Sequence, residues 1–458
     1  MEKSHQYPSD DSSTVIRIDK LNKWFGAFHV LRDLSLSVKQ GEKIAVIGSG
    51  ISGLSCAWKL SEKFDVDLYE CEKKFGGHSN TVTIKEGKND IPVDTGFIVF
   101  NEHNYPLLCN FFNNLGVNSY ESDMSFSVSI SHKNLEYSGT NFLSIFAQPL
   151  NIFKLDFMRM LYEIVKFNKN VEMDIQKFSN LTIDQYLKKK NYSDYFAYNH
   201  LYPMAGSIWS SKLNDIKNYP FEKFVTFFSN HGLLKIFNRP KWRTVKGGSK
   251  SYVEKILRNK KIKFHKNASV KVKKRKKLIL LKVKNSLKKY NHLVIATHSD
   301  QVKSVLNLDN LEKKIFSGMS YKKNIVYLHK DSSLMPENKK VWSSWNYLQN
   351  SKKLNQLTVT YWMNKLQNLE TDTNIFVSLN PFKKPKQEKI FKVINYEHPH
   401  YTFETFRKQK EIDNIQGREN IWFCGAYLGY GFHEDGISSS MNIAKRIYEF
   451  EKEKFIEL

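Results

Sequence analysis

The sequence predicts an α/β fold: a parallel sheet wound with helices, a mixed α+β region inserted into it, and a short β extension at the N-terminus. Three stretches carry that expectation. KIAVIG (43–48) is a compact apolar strand running into glycines. SGLSCAWKLSEKF follows as a helix with Leu54, Ala57, Trp58 and Leu60 on one side, and DVDLYECE (65–72) is a second strand. HLVIATHSD (292–300) is another apolar strand that leaves through a small-residue turn, and NIWFCGAYLGYGFHEDGISSSMNIAKRIYEF (420–450) reads as strand, glycine-rich loop and helix. The first stretch is a β-α-β unit of about 30 residues, the size of a Rossmann-like dinucleotide fold.

The loop inside that unit carries the chemistry. Gly48, Gly50 and Gly53 form G-x-G-x-x-G between a strand and a helix, and Glu70 ends the next strand. Each residue has a physical task. Gly48 permits the tight turn, Gly50 lets backbone approach a pyrophosphate, and Gly53 lets the helix pack against the strand. The first helical N–H groups, at Ile51 and Ser52, face the phosphates, and Glu70 accepts hydrogen bonds from ribose hydroxyls. A phosphate loop of the ATPase type needs lysine where this chain has Leu54, and no ATPase signature follows downstream.

Residues 43–458 resemble the flavin-containing amine oxidoreductase superfamily, and within it a bacterial family of NAD/FAD-binding proteins. The resemblance rests on IAVIGSGISGLSCAWKL, FGGHSNTV, PVDTGFIVFNEHNYP, RTVKGGSKSYV, VIATHSD and WFCGAYLGYGFHEDGI. It implies FAD held between a Rossmann-like domain and an amine-oxidase-like substrate domain. By this resemblance Gly76, Gly77 and His78 pass close to the cofactor, with His78 where relatives often carry arginine. Asp94, Thr95 and Gly96 approach the flavin ring, and the backbone of Val270 meets the adenine. Gly425 and Ala426 contact the ribityl-pyrophosphate region, with Ala426 where relatives often carry an acid. The helix beginning near Gly436, after Asp435, points its N-terminus at the flavin's pyrimidine end. The implied division is an extension (1–42), three FAD-binding segments (43–140, 241–300, 401–458), a helical cap (141–240) and a substrate-domain sheet (301–400).

Residues beyond the cofactor are less determined. His433 and Glu434, with Asp435, are candidates for proton relay or for helix capping. Cys424 reads as a buried strand thiol. Trp209, Tyr361 and Trp362 suit either an apolar substrate pocket or ordinary core. The four cysteines lack metal-site spacing, so no metal is expected.

Residues 15–43, VIRIDKLNKWFGAFHVLRDLSLSVKQGEK, resemble the start of ABC-transporter ATP-binding subunits, in which the position of Phe25 stacks on adenine. A fusion, a hairpin packed on the oxidoreductase and an ATP-binding remnant are the three explanations. The missing lysine speaks against the last, and a peripheral or edge position is expected.

A net charge of +25 admits nucleic acid, anionic membrane or acidic ligands as partners. The densest basic run, 259–291, alternates polar and apolar residues as strands do, and no nucleic-acid motif is present, so nucleic acid is not expected. In NIFKLDFMRMLYEIVKFNKN (151–170), Phe153, Phe157, Met160, Leu161 and Ile164 recur at helical spacing. That pattern fits a core-facing helix, while its lysines and arginine also suit a membrane surface. No secretory signal or 18-residue apolar run is seen, so the cytoplasm is expected, with the inner membrane's surface as the alternative. The expected ligand is a small molecule, lipid-like or otherwise apolar, and oligomeric state is left open.

Overall fold

The computed structural model describes residues 14–25, 28–39, 42–236, 238–275, 278–351 and 358–456. Its centre is a five-stranded sheet in the order Ile262–His265, Asp65–Tyr69, Lys43–Ile47, His292–Ile295 and Ile421–Phe423. All four pairings are parallel. Ile44, Ala45, Val46 and Ile47 are buried, as a middle strand covered on both faces must be. The glycine loop therefore leaves the middle of the sheet at its carboxyl edge, where open α/β sheets bind ligands.

Helix Ile51–Leu60 buries Leu54, Ala57 and Leu60 against this sheet. The last helix, His433–Ile456, packs on it, and the hydroxyls of Ser55 and Ser440 meet at 2.7 Å. It starts at His433 rather than near Gly436, so Gly436 sits in its first turn. Strands Val270–Lys274, Ile279–Val283 and Ser286–Tyr290 form a separate antiparallel sheet, with Val270 opposite Val283. Thus the lysine-rich run 259–291 does fold as strands.

The second sheet has seven strands in the order Leu135–Ser138, Phe126–Ile130, Trp345–Gln349, Thr358–Trp362, Phe376–Leu379, Tyr321–His329 and Ile390–Pro399. It shares one hydrophobic core with helices between 155 and 230, where Phe157, Phe167, Tyr186, Phe196, Phe221 and Phe224 are buried. Its first two strands come before residue 141, so this sheet recruits chain from the segment assigned to the FAD-binding part. Phe153 precedes helix Leu155–Asn170 and is exposed. The core-facing side is Phe157, Met160 and Phe167, with Leu161 and Ile164 packed against the same core.

Thr14–Phe25 and Phe28–Lys39 pair antiparallel as a two-stranded sheet of their own, outside the five-stranded sheet. The Phe25 side chain and the junction residue Gly41 lie outside the described residues.

Candidate functional site

Four sequence-distant segments meet at the N-terminus of helix Ile51–Leu60. The first is the glycine loop. Gly48 has φ +99°, and its N–H bonds Tyr69 O at 2.9 Å. A Cβ on Gly48 would stand 2.7 Å from Ala296 O, so the turn ending strand His292–Ile295 lies directly beneath it. A Cβ on Gly53 would stand 1.8 Å from Gly48 O. Gly50 differs: it caps the helix in extended geometry (φ −65°, ψ −178°), and a Cβ there would meet nothing within 4 Å. No side chain caps this helix and no acid sits in its first turn, so its N–H groups and positive dipole end stay available.

Glu70 is buried beside the loop, and its carboxylate accepts Ser49 N–H (3.0 Å), the Ser49 hydroxyl and Glu72 N–H (2.9 Å). Ala268 N–H donates to Glu70 O at 2.9 Å, which brings the start of the Val270 strand to the same end of the sheet.

The second segment is the Gly76–Gly77 turn. Gly76 N–H bonds Ser49 O at 3.1 Å, and a Cβ on Gly77 would stand 3.1 Å from Gly50 Cα. The third is the strand exit at Asp94–Gly96. Phe97 N–H bonds His78 O at 2.8 Å, and a Cβ on Gly96 would stand 2.3 Å from that oxygen. The fourth is the last helix. A Cβ on Gly436 would stand 2.7 Å from Ile51 Cγ2 and 2.8 Å from Ser52 Oγ. Gly425 N–H donates to Ser439 Oγ at 3.0 Å, which fixes the Gly425–Ala426 turn on this helix.

Other named residues are engaged by the protein itself. The buried Asp94 carboxylate accepts from the Thr81 hydroxyl (2.6 Å), Ser249 N–H (2.9 Å) and Gln367 Nε2 (2.8 Å), a structural hub joining both domains. Burial pushes its pKa up to about 6 despite these donors. Glu434 accepts Leu107 N–H and Leu108 N–H, both at 2.9 Å, so it caps helix Pro106–Asn114 rather than its own. The His433 ring lies on Phe97 (3.7 Å between centroids) with Nε2 between Ser79 Oγ (3.0 Å) and Tyr252 OH (3.1 Å). Burial holds its pKa down to about 3. Cys424 is buried, and its hydrogen bond with the neighbouring Cys56 thiol, together with burial, raises its pKa well above the ordinary value.

His78 is half-buried, its Nε2 buried and unpartnered, and its ring is stacked on Tyr396 at 4.7 Å and near His398 (5.3 Å) and His298 (5.9 Å). Burial lowers His78 and His298 to about 4 and His398 to about 3. These rings are neutral, so His78 supplies a hydrogen-bonding nitrogen where an arginine would supply charge. Thr95 Oγ1 joins the same group through Tyr396 OH at 2.8 Å.

Beside the C-terminal loop lies an aromatic cluster of which sequence reasoning found only Trp209. Trp209 stacks on Tyr219 (4.5 Å) and lies 4.8 Å from Phe227, while Tyr401 stacks on Phe406 (5.4 Å). Trp209 Nε1, Tyr219 OH and Tyr401 OH are buried without partners. Tyr361 and Trp362 lie elsewhere, on the seven-stranded sheet beside Trp345 and Trp342. The aromatics of the cluster are scattered over 200 residues, so only the tertiary fold assembles them.

Asp435 lies close enough to raise the Tyr219 and Tyr401 pKa values, and its carboxylate accepts Phe432 N–H at 2.9 Å. Burial pushes Asp435 up to about 7. The folded state therefore holds this proton more tightly than the unfolded chain. The stabilisation is complete below the unfolded carboxylate range and is lost as pH rises through about 7. Asp435→Asn is expected to flatten the fall in thermal stability between about pH 4 and pH 7. An unchanged pH profile of the melting temperature would show that Asp435 ionises normally.

At the opposite edge of the sheet, Glu42, His292 and Glu451 place ligand-type atoms within 4.8 Å of one another. Trp422 Nε1–H donates to His292 Nδ1 (3.2 Å), leaving Nε2 to donate to Glu451 (2.7 Å). The group reads as a clamp on the last helix.

Residues 46–115 match the model of the NAD(P)-binding Rossmann-like domain family. Among solved structures, a protoporphyrinogen oxidase homologue from Exiguobacterium is similar at a TM-score of 0.62 and 13% identity, covering 89% of this chain and 98% of that one. Putrescine oxidase bound to putrescine gives 0.63 and 12% (89% and 99%), and a fatty acid isomerase from P. acnes gives 0.62 and 13% (88% and 98%). The chain shares the fold of these proteins over most of its length. Separately, 66 residues are 46% identical to a glutamate/glutamine/aspartate/asparagine transport ATP-binding protein of Rhodobacter capsulatus, and 55 residues are 46% identical to a general L-amino acid transport ATP-binding protein of Rhizobium johnstonii. These matches cover 14% and 11% of this chain, which spans only 24% and 21% of those relatives.

No helix among the described residues is long and apolar enough to cross a membrane.

Proposed function

We propose that this protein is an FAD-dependent oxidoreductase acting on an organic substrate of largely apolar character. One observation carries the reading. The glycine loop, the Gly76–Gly77 turn, the Asp94–Gly96 exit and the last helix converge on one uncapped helix N-terminus, and Gly50 faces open space there. A backbone that no side chain crowds, beside free N–H groups, fits a pyrophosphate. The buried Glu70 fits a ribose, and the unpartnered His78 Nε2 fits a flavin-side hydrogen bond.

FAD would supply the redox chemistry, taking a hydride from the substrate at N5 and passing two electrons to a separate acceptor. The chain's own residues do the rest. The loop N–H groups and Gly50 would hold the phosphates, Glu70 and the Val270 strand would hold the adenosine end, and His78 and Thr95 would serve the flavin end. The N-terminus of the last helix would place its positive end near the flavin. The chain has one G-x-G-x-x-G, which speaks against a second dinucleotide domain for NAD(P)H.

The aromatic cluster supports the apolar substrate. Its rings offer a large desolvated surface, and its three orphaned polar atoms match a ligand carrying a few polar groups. The Asp435 carboxyl beside it is partly protonated near neutral pH. The structural relatives include amine oxidases and a fatty acid isomerase, so the fold alone does not choose. Anaerobic titration of the purified protein with a lipid extract and with a panel of amines tests the choice. Bleaching of the visible flavin band by the lipid fraction is expected; bleaching by amines alone would overturn the apolar assignment.

A further inference from the structure

We propose that the face formed by residues 142–173 docks on an anionic lipid bilayer surface. Phe142 and Leu143 stand on a one-turn helix, 69% and 79% exposed, and Leu150 and Phe153 on the following turn are 73% and 80% exposed. Leu155, at 86%, begins helix Leu155–Asn170, and Tyr162 continues the same outward side two turns on. The inward side is already filled by Phe157, Met160 and Phe167, so the core accounts for none of these six. Scattered single apolar residues need no explanation, but a run of bulky ones on adjoining turns marks an interaction surface.

Charge selects the occupant. Lys154 and Lys169 are exposed in the same stretch, whereas Lys166 lies over the Tyr192 ring at 5.1 Å. Lys339 and Lys340 sit on the turn after Asn338, which is tied to Ala147 O at 3.2 Å. Glu163, the acid nearest the helix centre, is turned inward, accepting Ser193 N–H at 3.1 Å and pairing with Arg159. The outward acids of this stretch are Asp156 and Glu172 alone. Protein interfaces deplete lysine from their apolar centres. Lysine mixed with Phe, Leu and Tyr is what a helix in the headgroup layer presents. The chain's +25 charge draws the same face toward anionic lipid. The inference stands independently of the cofactor and substrate.

The test is co-sedimentation of the full chain with vesicles of phosphatidylcholine containing phosphatidylglycerol, and with phosphatidylcholine alone. Binding is expected to the first, weakening with salt. Phe153→Glu combined with Leu155→Glu should lower partitioning about tenfold or more, as should Leu143→Glu with Leu150→Glu. Leu287→Glu, an exposed leucine of another sheet, should change nothing. All these positions are exposed, and unaltered melting temperatures verify folding. Absence of vesicle binding, or binding unchanged in both double variants, overturns the proposal. So does a wild-type self-association that the double variants abolish, which would make the face a seat for a second copy.

Discussion

Gly50→Asp should leave the protein folded and abolish FAD binding. At φ −65° and ψ −178° any L-residue is comfortable, and a Cβ at this position meets nothing within 4 Å. Aspartate is moreover a preferred helix cap where the helix has none, so stability should change by only about a few tenths of a kcal/mol. The same side chain would occupy the space proposed for the pyrophosphate and set a negative charge against it. The expected loss is about 100-fold in affinity or more, roughly 3 kcal/mol. Equilibrium titration with FAD and thermal unfolding of the apoprotein read the two halves separately. A variant that binds FAD as tightly as the wild type would remove Gly50 from the cofactor site.

Gly53→Ala, three residues on, should do the reverse: break the fold before any ligand arrives. In an open helix this change is stabilising, by up to about 1 kcal/mol. Here the new methyl stands 1.8 Å from Gly48 O and 3.3 Å from Ala296 Cβ. Gly48 cannot retreat, because Ala296 O lies directly beneath it and its N–H is bonded to Tyr69 O. The helix would have to lift from the central strand and lose part of its buried Leu54 and Leu60 contacts, each worth about 2 kcal/mol. A net loss of about 3 kcal/mol or more is expected, read as a shifted denaturant midpoint. Wild-type stability in this variant would mean that the loop and helix are not packed as described.

The contrast between these glycines shows what was legible beforehand. Their spacing and flanking strand assigned each a role, because backbone approach and close packing depend on local sequence. Three strands of the parallel sheet, KIAVI, HLVI and IWF, were legible for the same reason, as short apolar runs, whereas DVDLY and IKFH interleave charged residues. Less local features were not. Glu434 reads as a cap or relay for its own helix, yet it caps helix Pro106–Asn114, more than 300 residues earlier. Asp94 reads as a ring-side residue by resemblance, but its carboxylate is held by Thr81, Ser249 and Gln367 from three separate segments. Phe153 fits the helical period and is nevertheless exposed, since the helix begins two residues later. In each case the deciding contact comes from tertiary packing, which periodicity does not encode.

The central claim is that a loop preceded by an ATPase-like segment serves a flavin. The visible absorption spectrum of the purified protein, before and after added FAD and again under anaerobic reduction by substrate, tests it most directly. A bound flavin band that bleaches with substrate and is missing in Gly50→Asp is the expected result. A colourless protein that takes up no FAD would contradict the claim, and a band that no substrate bleaches would leave a flavin-binding protein without the proposed oxidoreductase cycle.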